Sequence, residues 1–540
     1  MATSSVSGIN SNLDTADIIS KLVALEARPI DLLQSQADQE AKKLLDFNNL
    51  KTKLQSFKSF ALALNTESRF ISTKGKFTNS DPTDTSPVVD IVTTSQASSG
   101  TFTLTVNQLA RETKTVSDGF ASTTSSIPTG TVRIVDGSRV TFVTVDETNN
   151  TLDGLRLALN NSGANLKANF INDGDTSNPI RLLISGTKTG TQNALDISFK
   201  FSQAGAFDTD AITFTTTQAA QDAELVVDGV SVTKQTNVVN DVITGTTMTL
   251  LSAGDGTITL STDVNSITQK VTDFVGSYND LILFLKDELA IDSSSNKTGV
   301  LFGNVTVQNI QQTLRSTISA QIAGVTGSFS FLSQVGITTQ DDGTLEVDKS
   351  ILADALTTDT VNVSQLFSSK GTTNNVGVTF VGFTNNTVAG TYDVRVLNGV
   401  PQLSPSGENN YTDATGSGNF FAGATGTAAE GLNFRISSLT DGSYGSITLT
   451  TGVAEIFNRQ MTNLLDTSLQ GPLSAEINTI TDTITNYDDQ IARMEERLTL
   501  FQQKLEEKFT NMEVVLGKLN SQRDTFTQAL SGIQSLFQKK

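Results

Sequence analysis

Cysteine, histidine and tryptophan are absent from the 540 residues. Without a thiol or an imidazole there is no cysteine nucleophile, no histidine base and no thiolate or imidazole metal site. Disulfides are excluded too, so the redox compartment is not written in the sequence, and stability must come from burial, long helices and assembly. Charged residues make up only 17%, against roughly 25% in ordinary globular chains. Ser, Thr, Asn and Gly fill the difference. The net charge is −19, which argues against nucleic acid and anionic membrane as main partners. No apolar run approaches the roughly 18 residues of a membrane span; the densest, 281–285, stops at Lys286. The opening Met-Ala-Thr-Ser-Ser-Val-Ser-Gly has neither the basic nor the apolar part of a cleavable secretory signal. The expectation is a cytoplasmic protein, or one exported by a route that uses no such signal. The length suggests roughly three or four domains.

What is present is helical periodicity at both ends. In 477–505 apolar residues recur at alternating steps of three and four, from Ile477 through Ile484, Ile491 and Leu498 to Leu505. That is the seam of a coiled coil or long bundle helix. A second step of four after Leu505 shifts the phase, and a new series runs Phe509, Met512, Leu516, Leu519, Arg523, Phe526, Leu530, Ile533, Phe537. Such a stutter locally unwinds a supercoil, and it is read here as a joint between two helical compartments. At the other end a helix is expected from Asp14, with Ile18, Leu22 and Leu25 as its stripe. Pro29 should end or kink it, and periodicity resumes from Leu33 to Leu64.

Between the ends the period changes twice. Residues 74–90 read as a Thr/Ser/Asp/Pro linker, and short alternating strands follow to 260, among them Thr101-Phe-Thr-Leu-Thr-Val. A short helix is expected at 152–159 and a hairpin on Asp228-Gly229. Helical spacing returns at 264–285 and 307–322, with a short helix at 351–356. Residues 371–450 are strand-rich again, and Gly390-Thr-Tyr-Asp-Val-Arg-Val repeats the pattern of Gly100-Thr-Phe-Thr-Leu-Thr-Val, a hint of two related β modules. The simplest packing folds the two ends together and loops the β modules out as insertions.

Chemistry-bearing motifs have plainer readings. Asn172-Asp-Gly-Asp and Asp341-Asp-Gly-Thr-Leu-Glu-Val-Asp lack calcium-loop spacing and read as Asp-Gly turns. The pairs Asp488-Asp489 and Glu495-Glu496 lie off the apolar seam and read as a solvated helix face. Asn149-Asn-Thr fits a glycosylation sequon but needs a secretory pathway that nothing here signals. The distal seam has only the 18–25 stretch as an internal partner, and exposed apolar surface of that kind marks a contact site.

Several segments together resemble the flagellar filament cap proteins (hook-associated protein type 2, the FliD family). They are Gly8-Ile-Asn-Ser-Asn-Leu-Asp-Thr-Ala-Asp-Ile-Ile, Val106-Asn-Gln-Leu-Ala, Asn150-Thr-Leu-Asp-Gly-Leu and Phe274-Val-Gly-Ser-Tyr-Asn-Asp-Leu. Val335-Gly-Ile-Thr-Thr, Asp342-Gly-Thr-Leu-Glu-Val-Asp, Lys508-Phe-Thr-Asn-Met-Glu and Leu519-Asn-Ser-Gln continue the series in the family's order. Asn12 stands where the family usually has Gly, and Asn is the next most tolerant of a left-handed backbone. Residues 371–450 look like an extra insertion.

The resemblance implies a non-enzymatic, secreted protein at the filament tip, exported unfolded through the flagellar type III apparatus. It implies a small homo-oligomeric ring, commonly of five, that holds flagellin while it folds and inserts. It also implies contact with hook–filament junction proteins and a cytoplasmic export chaperone on the C-terminal helix, with no cofactor or metal. A surface adhesin, an extracellular hydrolase on a β scaffold, and flagellin itself are the rival readings.

The expected fold is α+β and multidomain, elongated, with paired terminal helices, a helical bundle and inserted β-rich domains. The expected domains are a helical leg (1–44 with 506–540) and a bundle (45–75 with 265–370 and 451–505). A β domain (76–115 with 216–264), an inserted β-rich domain (116–215) and a further β-rich module (371–450) complete them. Expected oligomer or partner contacts are Leu13, Ile18, Leu22, Phe509, Leu516, Phe526, Leu530, Ile533, Leu536 and Phe537.

Overall fold

The structure, a computed structural model, describes residues 8, 10–201, 212–292, 297–323, 325, 327–468 and 471–537. The helices in chain order are α1 (Thr15–Leu62), α2 (Glu67–Phe70), α3 (Leu152–Asn160), α4 (Val264–Glu288), α5 (Val305–Ser319), α6 (Lys349–Phe367), α7 (Val453–Leu465) and α8 (Pro472–Phe537). Sheets fill the intervals, so the α+β multidomain reading stands. The chain forms two compact units. The first joins Met1–Asn65, Val271–Asp348 and Gln365–Lys540; the second joins Thr66–Lys270 and Lys349–Ser364.

In the first unit the two ends of the chain meet as antiparallel helices. Asp14 caps α1 by accepting from the Asp17 amide, which satisfies one of the donors a helix start leaves free. Pro472 opens α8, where a missing N–H costs nothing. With 66 residues α8 extends roughly 100 Å at ~1.5 Å per residue. Leu473, Ile480 and Ile491 on α8 and Ala37, Phe47, Leu50 and Leu54 on α1 are buried. Further along α1, Phe57 centres an aromatic core with ring centroids 5.0 Å from Phe457, 5.3 Å from Phe274 and 5.9 Å from Tyr278. Offset contacts at this spacing add to simple burial. Glu455 is buried yet ionically satisfied. It lies 3.0 Å from Arg459 and accepts from Asn65 at 2.7 Å, the pairing a buried carboxylate needs.

The second unit holds two β domains with separate cores. The first has a five-stranded sheet in the order Thr73–Asn79, Gly254–Thr262, Gly100–Gln108, Ala223–Val227, Val230–Lys234, and a three-stranded sheet of Val238–Val239, Thr246–Leu250 and Val89–Thr93. Leu104, Leu225, Met248 and Ile258 fill its core. The second domain, between Lys114 and Gln218, packs α3 with a four-stranded and a three-stranded sheet. Ile134, Leu155, Leu182 and Phe199 are in its core, and Thr151 caps α3 through the Gly154 amide at 3.0 Å. The hairpin on Asp228-Gly229 forms as expected.

Four sequence expectations are corrected. Pro29 does not end the first helix, which runs on across it. Pro29 and Leu25 lie on the exposed face, where water can take the carbonyl that proline leaves unbonded, and packing along α8 offsets the ~3 kcal/mol penalty. The buried side of α1 passes through Thr15, Val23, Ala27 and Leu33, leaving Leu22 and Leu25 38% and 56% exposed. Residues 73–79 are not linker but the strand Thr73–Asn79, held to Gly254–Thr262 along its whole length. The short helix at 351–356 is the 19-residue α6, with a non-helical break at Asp359.

Two substitutions separate packing from polarity in the aromatic core. Phe57→Ala should lower the stability of the helical unit by about 3–5 kcal/mol, read by denaturant unfolding. Burial pushes the Tyr278 hydroxyl pKa up to about 12, and the hydroxyl has no hydrogen-bond partner among the described residues. Tyr278→Phe should therefore be neutral or stabilising by about 1 kcal/mol, and a clear loss would contradict the orphaned hydroxyl.

Candidate functional site

Surface chemistry in this chain concentrates at the free ends of its terminal helices. The residues before α1 turn back over α8. The Asn10 amide donates to Glu513 Oε2 at 2.9 Å, Ser11 Oγ donates to the other carboxylate oxygen, and Asn10 Nδ2 donates to the Glu513 carbonyl at 3.1 Å. Asn520 Nδ2 reaches the Asn10 carbonyl at 3.3 Å. Glu513 is thereby buried at 4% exposure. The Ser11 hydroxyl and then the two backbone amides hold its carboxyl below the usual range.

Two backbone features make this clasp possible. Asn12 has φ 59°, a left-handed turn that Asn tolerates better than most residues, and its amide donates to the Gly8 carbonyl at 2.9 Å. On α8, a Cβ at Gly517 would lie 2.8 Å from Asn10 Nδ2. Gly517 is where the clasp approaches the helix.

The pairing also extends upstream. Arg497 Nη2 meets Glu26 at 3.0 Å, so α1 already lies along α8 before Leu505. The helix is continuous through Leu505. What changes along it is exposure. Phe509, Met512 and Leu516 are half-buried, whereas every described side chain from Ser521 to Gln534 is exposed. Within that stretch Phe526 is 71%, Leu530 53% and Ile533 51% exposed. On α1, Ile18 is half-buried and Leu13 is exposed. The side chains of Leu536 and Phe537 lie outside the described residues.

The structure brings together motifs far apart in sequence. Asn10 and Ser11 meet Glu513, and Asn279 pairs with both the amide and the carbonyl of Leu345 at 2.7 and 2.8 Å. Sequence reasoning did not single out Asn10, Ser11 or Glu513. A charged residue beside Met512 and Val514 carries no periodic signal, and only its place in the Lys508–Glu513 motif set it apart. The Asp-rich turns spend their carboxylates on their own backbone: Asp342 accepts from the Thr344 amide and hydroxyl at 3.0 and 2.6 Å.

An α+β protein of this kind, closed at its ends by a helix pair and carrying an exposed row of apolar side chains on one helix end, has the anatomy of a subunit made for assembly. Its residues 220–521 match the family described as flagellar hook-associated protein 2 C-terminus, and residues 11–113 match flagellar hook-associated protein 2 N-terminus. The chain belongs to that family, the flagellar filament caps, whose place is the filament tip and which assemble as oligomers there. Its relatives include the B-type flagellar hook-associated protein 2 of Pseudomonas aeruginosa, 29% identical over 66% of this chain and 78% of that protein. The flagellar hook-associated protein 2 of Escherichia coli K12 is 28% identical over 69% and 81%. The crystal structure of the flagellar cap protein FliD D1-D2-D3 domains from Escherichia coli covers 81% of this chain and 99% of its own, with TM-score 0.53 at 21% identity, a likeness of fold.

The clasp makes a pH prediction. A carboxyl whose folded pKa is depressed contributes stability that is present above its unfolded pKa and lost as pH falls through the folded value. The clasp should therefore hold at neutral pH and open only in acid, below the ordinary carboxylate range. Because the chain has no native cysteine, a fluorophore on Leu13→Cys reports this cleanly. Its anisotropy should drop on acidification, and Glu513→Ala should hold it low at every pH.

Proposed function

We propose that this cap protein works through the exposed end of α8, which docks against neighbouring chains. The carrying observation is the run of solvent-facing apolar side chains, Phe526, Leu530 and Ile533, on a helix with no described partner past Asn520. Fully covering such a side chain contributes about 1.5–3 kcal/mol, so three together supply a useful share of a specific interface. Leu13, Ile18 and Leu22 on α1 and Phe509 and Leu516 on α8 extend the same surface toward the clasp. In this reading the terminal helices (1–44 with 506–540) are a leg and the bundle and β domains are the body.

The leg holds cap subunits in a ring, of five by the family's habit, and guides flagellin into the growing filament beyond the hook–filament junction proteins. Before export a cytoplasmic chaperone covers the same apolar row. A bare amphipathic helix needs such cover, since an isolated helix is marginal in water and Gly532 weakens this one by ~1 kcal/mol relative to Ala. The role is mechanical, and no step in it calls for bond chemistry.

Truncation after Asn520 should keep the clasp and the folded body but abolish filament elongation, scored by motility and filament length. Normal filaments from that truncation would refute the docking role. Phe526→Asp with Leu530→Asp should weaken oligomer or chaperone binding by at least about tenfold, the loss expected for two buried apolar contacts, read by sedimentation and titration. Unchanged affinity would move the interface elsewhere.

A further inference from the structure

Residues 369–451 form an antiparallel sandwich whose topology repeats that of the first β domain. Its five-stranded sheet has the order Ser369–Thr373, Gly442–Thr451, Gly390–Leu397, Val400–Pro405, Thr412–Asp413. In both modules the first strand lies beside the last, then comes the third, then the next two in chain order. The second sheets agree as well. The second strand (Val89–Thr93 or Val378–Gly382) pairs with the penultimate one (Thr246–Leu250 or Asn433–Ile436).

The likeness reaches individual residues. In the first module Leu260 of the last strand lies between Gly75 and Gly100; in the other, Leu449 lies between Gly371 and Gly390. A Cβ on Gly75 would fall 2.2 Å from Ile91, and one on Gly371 would fall 2.3 Å from Phe380. Ile91 and Phe380 are the third residues of equivalent strands. So each module uses a glycine at one place to admit a large side chain from its second sheet.

The last strand and the start of the following helix read Gly256-Thr-Ile-Thr-Leu-Ser-Thr-Asp-Val-Asn-Ser-Ile in one and Gly445-Ser-Ile-Thr-Leu-Thr-Thr-Gly-Val-Ala-Glu-Ile in the other. The first strands open on Ser72-Thr-Lys-Gly and Ser368-Ser-Lys-Gly. Seven residues into each helix stands a cation bound to a backbone carbonyl, though at different places: Lys270 takes that of Arg69, before the first strand, at 2.6 Å, and Arg459 takes that of Thr387, between the second and third strands, at 2.8 Å. A shared topology could arise by convergence on a stable sandwich. Shared glycine sockets and strand register together do not follow from packing alone.

The copies differ in their second sheets, of three strands and of four, and most of all at one turn. After its third strand the first module departs for the whole domain between Lys114 and Gln218 before returning at Ala223. The second module crosses the same gap on Asn398-Gly399. We infer that residues 368–459 are a second copy of the β module of residues 72–108 and 223–270. We further infer that this copy is an accessory display module, dispensable for capping, whose Asn398-Gly399 turn accepts an inserted domain as its counterpart does. Its own core, with Tyr392, Phe434, Ile447 and Leu449, supports that independence, as does the direct pairing of Lys370 with Thr450 where the chain enters and leaves.

Three changes in the full-length chain test this; the motility arm also rests on the capping role. Excision of residues 371–449, with Lys370 joined to Thr450 through Asn-Gly, should leave the unfolding of the remainder unchanged and filaments elongating. A misfolded remainder would overturn the duplication with independence, whereas a folded remainder without filaments would overturn dispensability alone. A small folded domain placed between Asn398 and Gly399 should leave the protein soluble and cooperative; aggregation would overturn the insertion site. Gly371→Val should raise hydrogen exchange within 369–451 only, with rescue by Phe380→Ala, and Gly75→Val with Ile91→Ala should behave alike in the first module. Unaltered exchange in either glycine variant would overturn the shared socket.

Discussion

The docking of α1 along α8 brings residue 10 within hydrogen-bonding distance of residue 513. For a flexible loop of that length the closure entropy alone would be about 5–6 kcal/mol, and contacts so distant in sequence slow folding. The chain escapes much of that through the pairing of local ends. Thr73 lies opposite Thr262 and Ser369 opposite Thr451, so each β module, once folded, shortens the loop that the helix pair must close. Modules first and ends last is the order this geometry favours.

The same helix pair explains why the far end of α8 is exposed. Paired helices share one apolar seam, and pairing stops holding side chains out of water after Asn520. Past that point the phase-shifted series continues with Phe526, Leu530 and Ile533 and has nothing described to cover it. Apolar residues spaced for a partner and exposed on a helix are a standing cost in solution and a gain on assembly. The clasp at Glu513 sits just before this change, where one charge-assisted set of hydrogen bonds fixes the register of the two helices and so the length of helix left free.

Much of this was legible in the chain because it rests on period. The switch from steps of two to steps of three and four located the β insertions and the long helices, and the series that starts at Phe509 ends in Phe526, Leu530 and Ile533, which the structure leaves exposed. The misreadings have local causes. Pro29 was weighed by its intrinsic penalty, but it falls on the solvent face of a helix held by its other side. Residues 73–79 look polar because Lys74, Lys76 and Thr78 face outward while Gly75 yields space to Ile91. The clasp stayed hidden because Asn10, Ser11 and Glu513 obey no period, and only the fold brings them together.

The β modules show the same economy from the other side. A sandwich whose first and last strands are neighbours offers its host two adjacent chain ends, so it can be spliced between helices without moving them, and surface turns tolerate insertion best. The first module is both guest and host: it is inserted between α2 and α4 and itself carries a domain at one turn. A second copy between α6 and α7 needs no new solution, because the last strand again runs into a helix through Thr-x-Val. A change in β content is then compatible with an unchanged helical frame in this chain, so long as α1, α8 and the clasp keep their register.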